Sequence, residues 1–272
     1  MAEARPDTRL VASAGGHEGP AYALSRVPKN RQPVLDRLAG ASRRFQVHAL
    51  VEYDVSLAKA RMIEADRHVS WTGFLIATLA RAVALHPEVN ARKAGNRILT
   101  FDRVDIGATV ERQWQGLAVL DIVTIPDADR TSCSDISELL HQAKHSAAQP
   151  HRLSRLAAQL WRLPGPLRRT AFRIAAMRPR VAATFGPAVG VTSLGMFSSG
   201  WGWAIPLAPL TVIATVGEVA DRPVVRDGRI VARPMLPLTL SFDHAVIDGA
   251  PAARFTATLR TLTETASALE EP

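Results

Sequence analysis

The sequence contains very little cysteine and no long apolar run. Its single cysteine, Cys133, excludes an internal disulfide and any metal site built from several cysteines, as is typical of a reducing compartment. No apolar run reaches the ~18 residues of a membrane span, and the N-terminus MAEARPDTRL lacks the apolar core of a signal peptide. These absences predict a cytoplasmic protein.

Acidic residues are missing from one long segment, which accounts for the basic character of the chain. The net charge is +8, and residues 151–181 contain eight arginines and no aspartate or glutamate. No helix-turn-helix, zinc or aromatic-platform motif accompanies this charge, so specific nucleic-acid recognition is not expected. Three uses of the segment stay open: a solvated face, a surface for an acidic carrier protein or coenzyme A phosphates, and a helix lying on an anionic membrane.

Hydrophobic periodicity predicts intermixed helices and strands, and therefore an α/β fold with a mixed sheet. The chain has 272 residues, enough for one main domain with a full core. Residues 1–28 have glycines and scattered charges without a period and are predicted to form a flexible arm ahead of a domain over 29–272. The predicted helices cover about 31–42, 57–67, 70–87, 132–143, 150–163, 165–177 and the residues from about 250. The predicted strands cover about 47–56, 97–111, 117–125, 188–194, 209–221 and 229–243.

The C-terminal stretch LTLSFDHAVIDGAPAARF contains the most informative motif. His244, Asp248 and Gly249 stand where an alternating strand should end and a helix should begin. The pattern His-x-x-x-Asp-Gly fixes only three positions and is weak by itself. Asp243 precedes the histidine, a strand leads into it and a helix start follows. Junctions of this kind often hold functional side chains.

Together these features resemble the signature of the 2-oxo acid dehydrogenase acyltransferases, the dihydrolipoamide acyltransferase catalytic domain, whose fold is shared with chloramphenicol acetyltransferase. The resemblance begins near residue 31 and is also carried by RQPVLDRLAGASRRFQVHALVEYDVSLAKAR, HPEVNA, FDRVDIGATV, DADRTSCSDISELLHQA and GVTSLGMF. It implies a two-layer sandwich of a mixed β-sheet and packed helices, with the catalytic domain over 29–272. The arginine-rich helical pair at about 150–181 is longer than the usual connection in the family and is interpreted as an insertion.

Acyl transfer from a thioester requires a base and a donor for the oxyanion of the tetrahedral intermediate. Imidazole suits the first task, so His244 is the candidate base. The resemblance assigns the second task to the hydroxyl of Thr192, with Ser193 as the less favoured alternative. It implies a supporting role for Asp248, which could accept backbone N–H bonds or pair with an arginine. Gly249 is expected to permit a tight backbone turn.

The family resemblance also implies substrates and an assembly. The acyl donor would be acyl-CoA or an acyl carrier, the acceptor a thiol, hydroxyl or amine, with no covalently bound cofactor and no metal. The histidine and the hydroxyl come from neighbouring subunits in this family, so a homotrimer or a multiple of three is expected. The alternative is a catalytically inactive trimeric scaffold within a larger complex.

Two departures from the family pattern affect these expectations. Ala245 stands where the family usually has an arginine, so the local ion pairing must differ. An N-terminal arm of about 30 residues cannot hold a lipoyl domain of about 80 residues, and a stand-alone enzyme without a swinging arm is expected.

Several other residues allow two interpretations each. Cys133 is either a packing residue or a nucleophile, and His48 is either a strand packing residue or a second base. Trp201 and Trp203 would suit either the wall of an acyl tunnel or a trimer contact. His141, His145 and His151 lack the carboxylate or cysteine that would complete a metal site.

Overall fold

The structure is a computed structural model of the chain. It describes residues 9–11, 22–24, 27, 31–64, 69–114, 117–146, 163–193 and 201–270. The helices are α1 (Gln32–Ala41), α2 (Ser56–Glu64), α3 (Trp71–Leu85), α4 (Cys133–His145), α5 (Gly165–Ala176), α6 (Pro179–Ala182) and α7 (Gly249–Glu264). The strands are β1 (Arg9–Val11), β2 (Tyr22–Leu24), β3 (Gln46–Asp54), β4 (Ala91–Ala94), β5 (Arg97–Thr100), β6 (Ile106–Trp114), β7 (Leu117–Ile125), β8 (Val189–Ser193), β9 (Val212–Val216), β10 (Ala220–Arg226) and β11 (Arg229–Asp243).

A seven-stranded mixed sheet organises these elements. Six of its strands follow the order β10–β11–β9–β8–β6–β7, and β3 pairs with the C-terminal half of β11. The β6–β8 and β8–β9 pairs are parallel, whereas the other pairs of this sheet are antiparallel. The predicted α/β class with a mixed sheet is therefore confirmed.

Helices α2, α3, α4 and α7 pack against one face of this sheet. Alternate residues of its central strands, such as Val191, Ala214 and Leu240, belong to the buried core, as strand periodicity requires. Helix α3 lies in the same core and is buried along residues 73–80. Ser70 caps this helix by accepting a hydrogen bond from a backbone N–H of its first turn. The predicted two-layer arrangement is confirmed.

The region around β4 and β5 differs from the prediction. The strand predicted over 97–111 is two strands, because the chain bends between β5 and β6. The carbonyls of Phe101 and Arg103 in this bend accept hydrogen bonds from the side-chain amide of Asn90. Residues 91–94, which the periodicity does not indicate as a strand, pair antiparallel with β5. The side chain of Asn90, which lies outside the predicted strand, thus holds the bend that interrupts this strand.

Three further predictions concern the N-terminal arm, the helix predicted over 150–163 and the strand β11. Within the predicted flexible arm, β1 and β2 pair antiparallel, so its described part has regular structure. Of the helix predicted over 150–163, only the last residue lies inside the described part of the chain. The strand β11 has the predicted bounds of 229–243, and Asp227 and Gly228 form its hairpin turn with positive φ angles.

The described part of the arginine-rich segment contains helix α5, which is joined to α1 through one carboxylate. The Nε atoms of Arg168 and Arg169 donate to the two oxygens of Asp36, at 2.6 and 2.8 Å. Burial acts to raise the pKa of the Asp36 carboxyl, but the two guanidinium groups outweigh it and hold that pKa below its ordinary value. Arg168 is therefore a buried internal partner, and the solvated-face interpretation does not apply to it.

Candidate functional site

The turn that carries His244 is fastened by the backbone on both sides. The Asp243 N–H donates to Thr211 O at 2.8 Å, and the His244 N–H donates to Phe45 O at 2.7 Å. The carbonyl of Asp243 accepts hydrogen bonds from the N–H groups of the third and fourth residues after it. One of these, Ile247, is buried and anchors the turn to the core. The end of β11 thus passes into a fixed turn before α7 begins.

The side chain of Asp243 completes this anchorage. It is buried, and one oxygen accepts a hydrogen bond from the Ala245 N–H at 3.2 Å. Its other oxygen accepts a hydrogen bond from Arg44, which also forms an ion pair with it. The carboxylate therefore binds both Arg44, which precedes β3, and the backbone of the turn that contains His244.

This arrangement differs from the expectation for Asp248 and Gly249. Asp248 is 86 % exposed and stands at the start of α7 without a side-chain capping bond, and no arginine of the described residues pairs with it. Its Oδ1 lies 3.5 Å from Nδ1 of His244. Gly249 is helical and does not have a positive φ, so the tight turn expected there is absent. The supporting carboxylate is Asp243, because its side chain points inward at the strand end.

His244 itself is accessible. Its side chain is 44 % exposed and contacts Asp248 on the Nδ1 side, which leaves Nε2 free to face a substrate. At 3.5 Å this contact is longer than an ordinary hydrogen bond, but the carboxylate charge favours a proton on Nδ1. The geometry therefore suits proton transfer through Nε2.

The two candidate hydroxyls lie on opposite faces of the sheet. Thr192 pairs with Thr215 in β9, and Ser193 pairs with Val216, which belongs to the core on the helix side. Successive strand residues point to opposite faces, so Thr192 points away from the helices. Its hydroxyl has no hydrogen-bond partner among the described residues and is partly exposed. Both residues are partly buried, so what distinguishes the two hydroxyls is the face of the sheet on which each lies.

Thr192 and His244 lie far apart within one chain. Thr192 pairs with Thr215 of β9, and Thr215 pairs in turn with Thr239 of β11. His244 follows Thr239 by five residues, and a strand rises about 3.4 Å per residue, so the separation is roughly 17 Å along the sheet alone. One hydroxyl and one imidazole this far apart cannot act on the same carbonyl group. A single chain therefore does not bring the two candidate residues together.

His48 lies on β3 beside the part of β11 that leads to His244. Its Nδ1 is 2.8 Å from the hydroxyl of Ser241, its cross-strand partner in β11. A groove of about 550 Å³ opens next to it, between β3 and α7, and Phe242, Gly249 and Ala252 line this groove. The strand-residue interpretation of His48 agrees with this pairing, although its side chain is more exposed than expected.

Trp201 and Trp203 belong to one aromatic cluster. Their rings meet edge to face with centroids 4.5 Å apart, and the guanidinium of Arg222 lies 4.1 Å from the centroid of Trp201. The indole N–H of Trp203 donates to Val51 O at 3.0 Å, which ties the cluster to β3. The tunnel wall and the trimer contact both stay open as interpretations.

The structure also bears on the other chemistry-bearing residues. The thiol of Cys133 is buried and donates to Ala268 O, and burial raises its pKa to about 11. Such a thiol is not a nucleophile at neutral pH, so packing is the better interpretation. Among the described residues no cluster of three or more His, Cys, Asp or Glu side chains could hold a metal ion. No helix in that part of the chain has the length and apolar character needed to cross a membrane.

The comparison with protein families gives a match over most of the chain. The model of the 2-oxoacid dehydrogenases acyltransferase (catalytic domain) matches residues 39–155 and 167–270. The residues that it leaves out between these ranges, 156–166, fall in the arginine-rich segment. A curated relative, the dihydrolipoyllysine-residue succinyltransferase component of the 2-oxoglutarate dehydrogenase complex of Rickettsia typhi, is 27 % identical over 196 residues. That match covers 72 % of this chain and 42 % of the relative, and other matches cover between 15 % and 50 % of theirs.

Solved structures of similar proteins share the fold. The dihydrolipoamide acetyltransferase of Azotobacter vinelandii superposes with a TM-score of 0.63 at 23 % identity, covering 95 % of this chain and 99 % of that one. The cubic core of a pyruvate dehydrogenase multienzyme complex gives a TM-score of 0.62 at 22 % identity, with the same coverage. At this level of identity the similarity establishes the architecture.

Proposed function

Because the chain belongs to the 2-oxoacid dehydrogenase acyltransferase family, we propose that it transfers an acyl group from a thioester to a thiol, hydroxyl or amine acceptor. The donor in this proposal is acyl-CoA or an acyl group on a carrier. The observation that carries it is the accessible imidazole of His244, held on a fixed turn by a buried carboxylate. A chain that served only as a scaffold would need neither.

The proposed reaction uses two side chains of the protein. Nε2 of His244 takes the proton of the incoming thiol, hydroxyl or amine, whose heteroatom then bonds to the thioester carbonyl carbon. The hydroxyl of Thr192 donates a hydrogen bond to the resulting oxyanion. When the tetrahedral intermediate collapses, the carbon–sulfur bond breaks and the departing thiolate takes the proton from the imidazolium. The carboxylate of Asp248 stabilises the imidazolium from the Nδ1 side.

The spacing of the proposed residues supports these roles. The structural study of the Azotobacter vinelandii enzyme concerns a serine, a histidine and an asparagine in its catalytic mechanism, with the serine 52 positions before the histidine and the asparagine four positions after it. In this chain Thr192 precedes His244 by the same 52 positions, and Asp248 follows by four. Threonine keeps the hydroxyl of the serine, and aspartate has the shape of the asparagine.

The separation of Thr192 and His244 supports a site shared by two chains. If one copy supplies the imidazole and its neighbour the hydroxyl, the contact is heterologous and closes into a ring. The similar cubic core has three-fold axes, as every cubic assembly does, so we propose a homotrimer or a multiple of three. The expected stand-alone action, without a lipoyl arm, stays a prediction.

The proposal is tested by measuring transfer from acetyl-, succinyl- and branched-chain acyl-CoA to dihydrolipoamide. Replacing His244→Ala removes the base and should lower turnover by about 10³-fold or more. Thr192→Ala should lower it by about 10²-fold, whereas Thr192→Ser should keep most of it. The matched control is His141→Ala, an exposed histidine on α4, which should leave the rate unchanged.

Two results would contradict the proposal. If His244→Ala keeps the wild-type rate, the imidazole is not the base. If the wild-type chain transfers none of these acyl groups yet forms a trimer by light scattering, the catalytically inactive scaffold is the better conclusion.

A further inference from the structure

Helix α5 packs with Arg168 inward and leaves two large apolar side chains exposed. Arg168 is 5 % exposed and binds Asp36 of α1, whereas Leu167 and Ile174 are 59 % and 48 % exposed. A surface helix ordinarily turns its apolar stripe toward the core and its charges toward water. Helix α5 departs from this arrangement at Arg168, Leu167 and Ile174, because the arginines bound to Asp36 fix which side faces α1.

Further exposed apolar side chains follow these two along the chain. Leu167 and Ile174 are seven residues apart and share one side of α5, since seven residues are close to two helical turns. Met177 and Phe185 follow along the chain, and each is about half exposed. These four residues are here named the apolar patch.

Every charge on the segment of the apolar patch is positive. Residues 163–188 contain five arginines and no aspartate or glutamate. Three of the five, Arg173, Arg178 and Arg180, are exposed, and none has an ion-pair partner among the described residues.

The neighbouring β4–β5 hairpin extends this basic surface. A Cβ added to Gly95 at its turn would lie 3.2 Å from Met177 O, so the turn touches the apolar patch. Lys93 and Arg97 flank the turn and are both exposed. Exposed apolar side chains are thus bordered by cations contributed from two separate parts of the chain.

We propose that the apolar patch and its bordering arginines bind the surface of an anionic lipid bilayer. The apolar side chains would enter the boundary of the acyl chains while the guanidinium groups pair with phosphates and carboxylates of the headgroups. A small soluble anion would use the arginines but leave the apolar patch in water. An anionic bilayer offers both an apolar phase for these side chains and a surface of net negative charge for a segment that has no carboxylate. The apolar patch lies within the range 167–270 that the family model matches, and none of its four residues is a proposed catalytic residue.

The 272-residue chain is tested by flotation with two kinds of vesicle. One consists of phosphatidylcholine alone, and the other contains about one third phosphatidylserine. The wild type should float with the anionic vesicles and not with the neutral ones, and flotation should fall between low and physiological salt because charges are screened beyond about 8 Å at 0.15 M.

Two double variants separate the contribution of the arginines to vesicle binding from that of the apolar side chains. The combination Arg173→Gln with Arg180→Gln should weaken binding to the anionic vesicles about thirtyfold, since each basic residue near such a surface contributes about a factor of five. The combination Leu167→Ser with Ile174→Ser should weaken it about tenfold or more. Both variants should transfer acyl groups at the wild-type rate in solution.

The matched controls lie on the β10–β11 hairpin, whose tip is at the opposite end of β11 from His244. Val225→Ser with Ile230→Ser removes two apolar side chains that are more exposed than those of the patch, at 69 % and 77 %, and Arg229→Gln with Arg233→Gln removes two exposed arginines. Both controls should float like the wild type, because they change the same chemistry elsewhere. Circular dichroism verifies that all four variants are folded.

Three outcomes would overturn the proposal. The first is equal weakening by the patch variants and the hairpin controls. The second is wild-type binding to soluble polyglutamate without flotation on either vesicle, which would indicate an acidic protein partner. The third is loss of the oligomer in the Leu167→Ser and Ile174→Ser variant by light scattering, which would indicate that a second copy covers the patch.

Discussion

Asp243 and Asp36 are both paired with arginine, yet they stabilise different parts of the molecule in different ways. Asp243 divides its oxygens between Arg44 and the backbone of the turn that carries His244. Asp36 gives both oxygens to guanidinium groups of α5. A carboxylate that binds backbone fixes a local shape, whereas one that binds only side chains fastens two elements together. The first should therefore matter for the rate of reaction and the second for the stability of the fold.

The largest effect on stability is expected from Asp36→Asn. This change removes the negative charge that compensates buried Arg168, so the free energy of unfolding should fall by about 4 kcal/mol. The rate of acyl transfer per folded molecule should stay unchanged. Urea denaturation followed by circular dichroism measures the first quantity. The control Arg169→Gln removes the more exposed partner and should cost less than about 1 kcal/mol. Equal free energies of unfolding for Asp36→Asn and the wild type would contradict the role of Asp36 in the stability of the fold.

A smaller loss of stability but a loss of activity is expected from Asp243→Asn. Arg44 is partly exposed, so water compensates part of its charge and the free energy of unfolding should fall by about 2 kcal/mol. The turn loses the carboxylate that fixes it, and a displacement of His244 on the order of 1 Å should lower turnover by about 10²-fold. Steady-state kinetics should show this in kcat more than in KM. A variant with normal kcat would mean that the backbone bonds alone position the turn.

The smallest expected effect is a change in the stability difference between Asp36→Asn and the wild type at acidic pH. The pKa of Asp36 in the folded chain lies below its ordinary value of 3.8, so its contribution to stability is present above about pH 4 and is lost as the pH falls through the folded value. The difference in stability between the wild type and Asp36→Asn should therefore be constant near neutral pH and narrow below about pH 4. Urea midpoints measured from pH 7 downward give this difference. A constant gap at all pH values would contradict the assignment of the pKa shift to Asp36.

The elements that carry the candidate site follow directly from local sequence patterns. The alternation of apolar residues over 229–243, the Asp227–Gly228 turn before it and the small residues after His244 define β11 and the start of α7. Local periodicity is sufficient for these because every second residue from Leu236 to Phe242 belongs to the core shared with the helices, although residues 235–243 are buried on both faces. The same logic indicates β8 and the outward direction of Thr192.

The supporting contacts could not be predicted in the same way. Arg44 and Asp243 are 199 residues apart, and Asp36 and Arg168 are 132 apart, so no local period relates them. Asp243 and Asp248 are two carboxylates of one motif, and only the register of β11 decides which one points inward. Similarly, the amide of Asn90 interrupts the strand predicted over 97–111 through contacts that periodicity does not express.

The separation of Thr192 from His244 has a consequence for mixtures of two inactive variants. In the proposed assembly each site belongs to two copies, so a chain that lacks the imidazole still lends a hydroxyl to its neighbour, and a chain that lacks the hydroxyl still lends an imidazole. Random co-assembly of two inactive chains, His244→Ala and Thr192→Ala, would therefore restore about one quarter of the sites, the fraction in which both intact halves meet. Activity would be a property of pairs of molecules, and two alleles that are each null could complement one another.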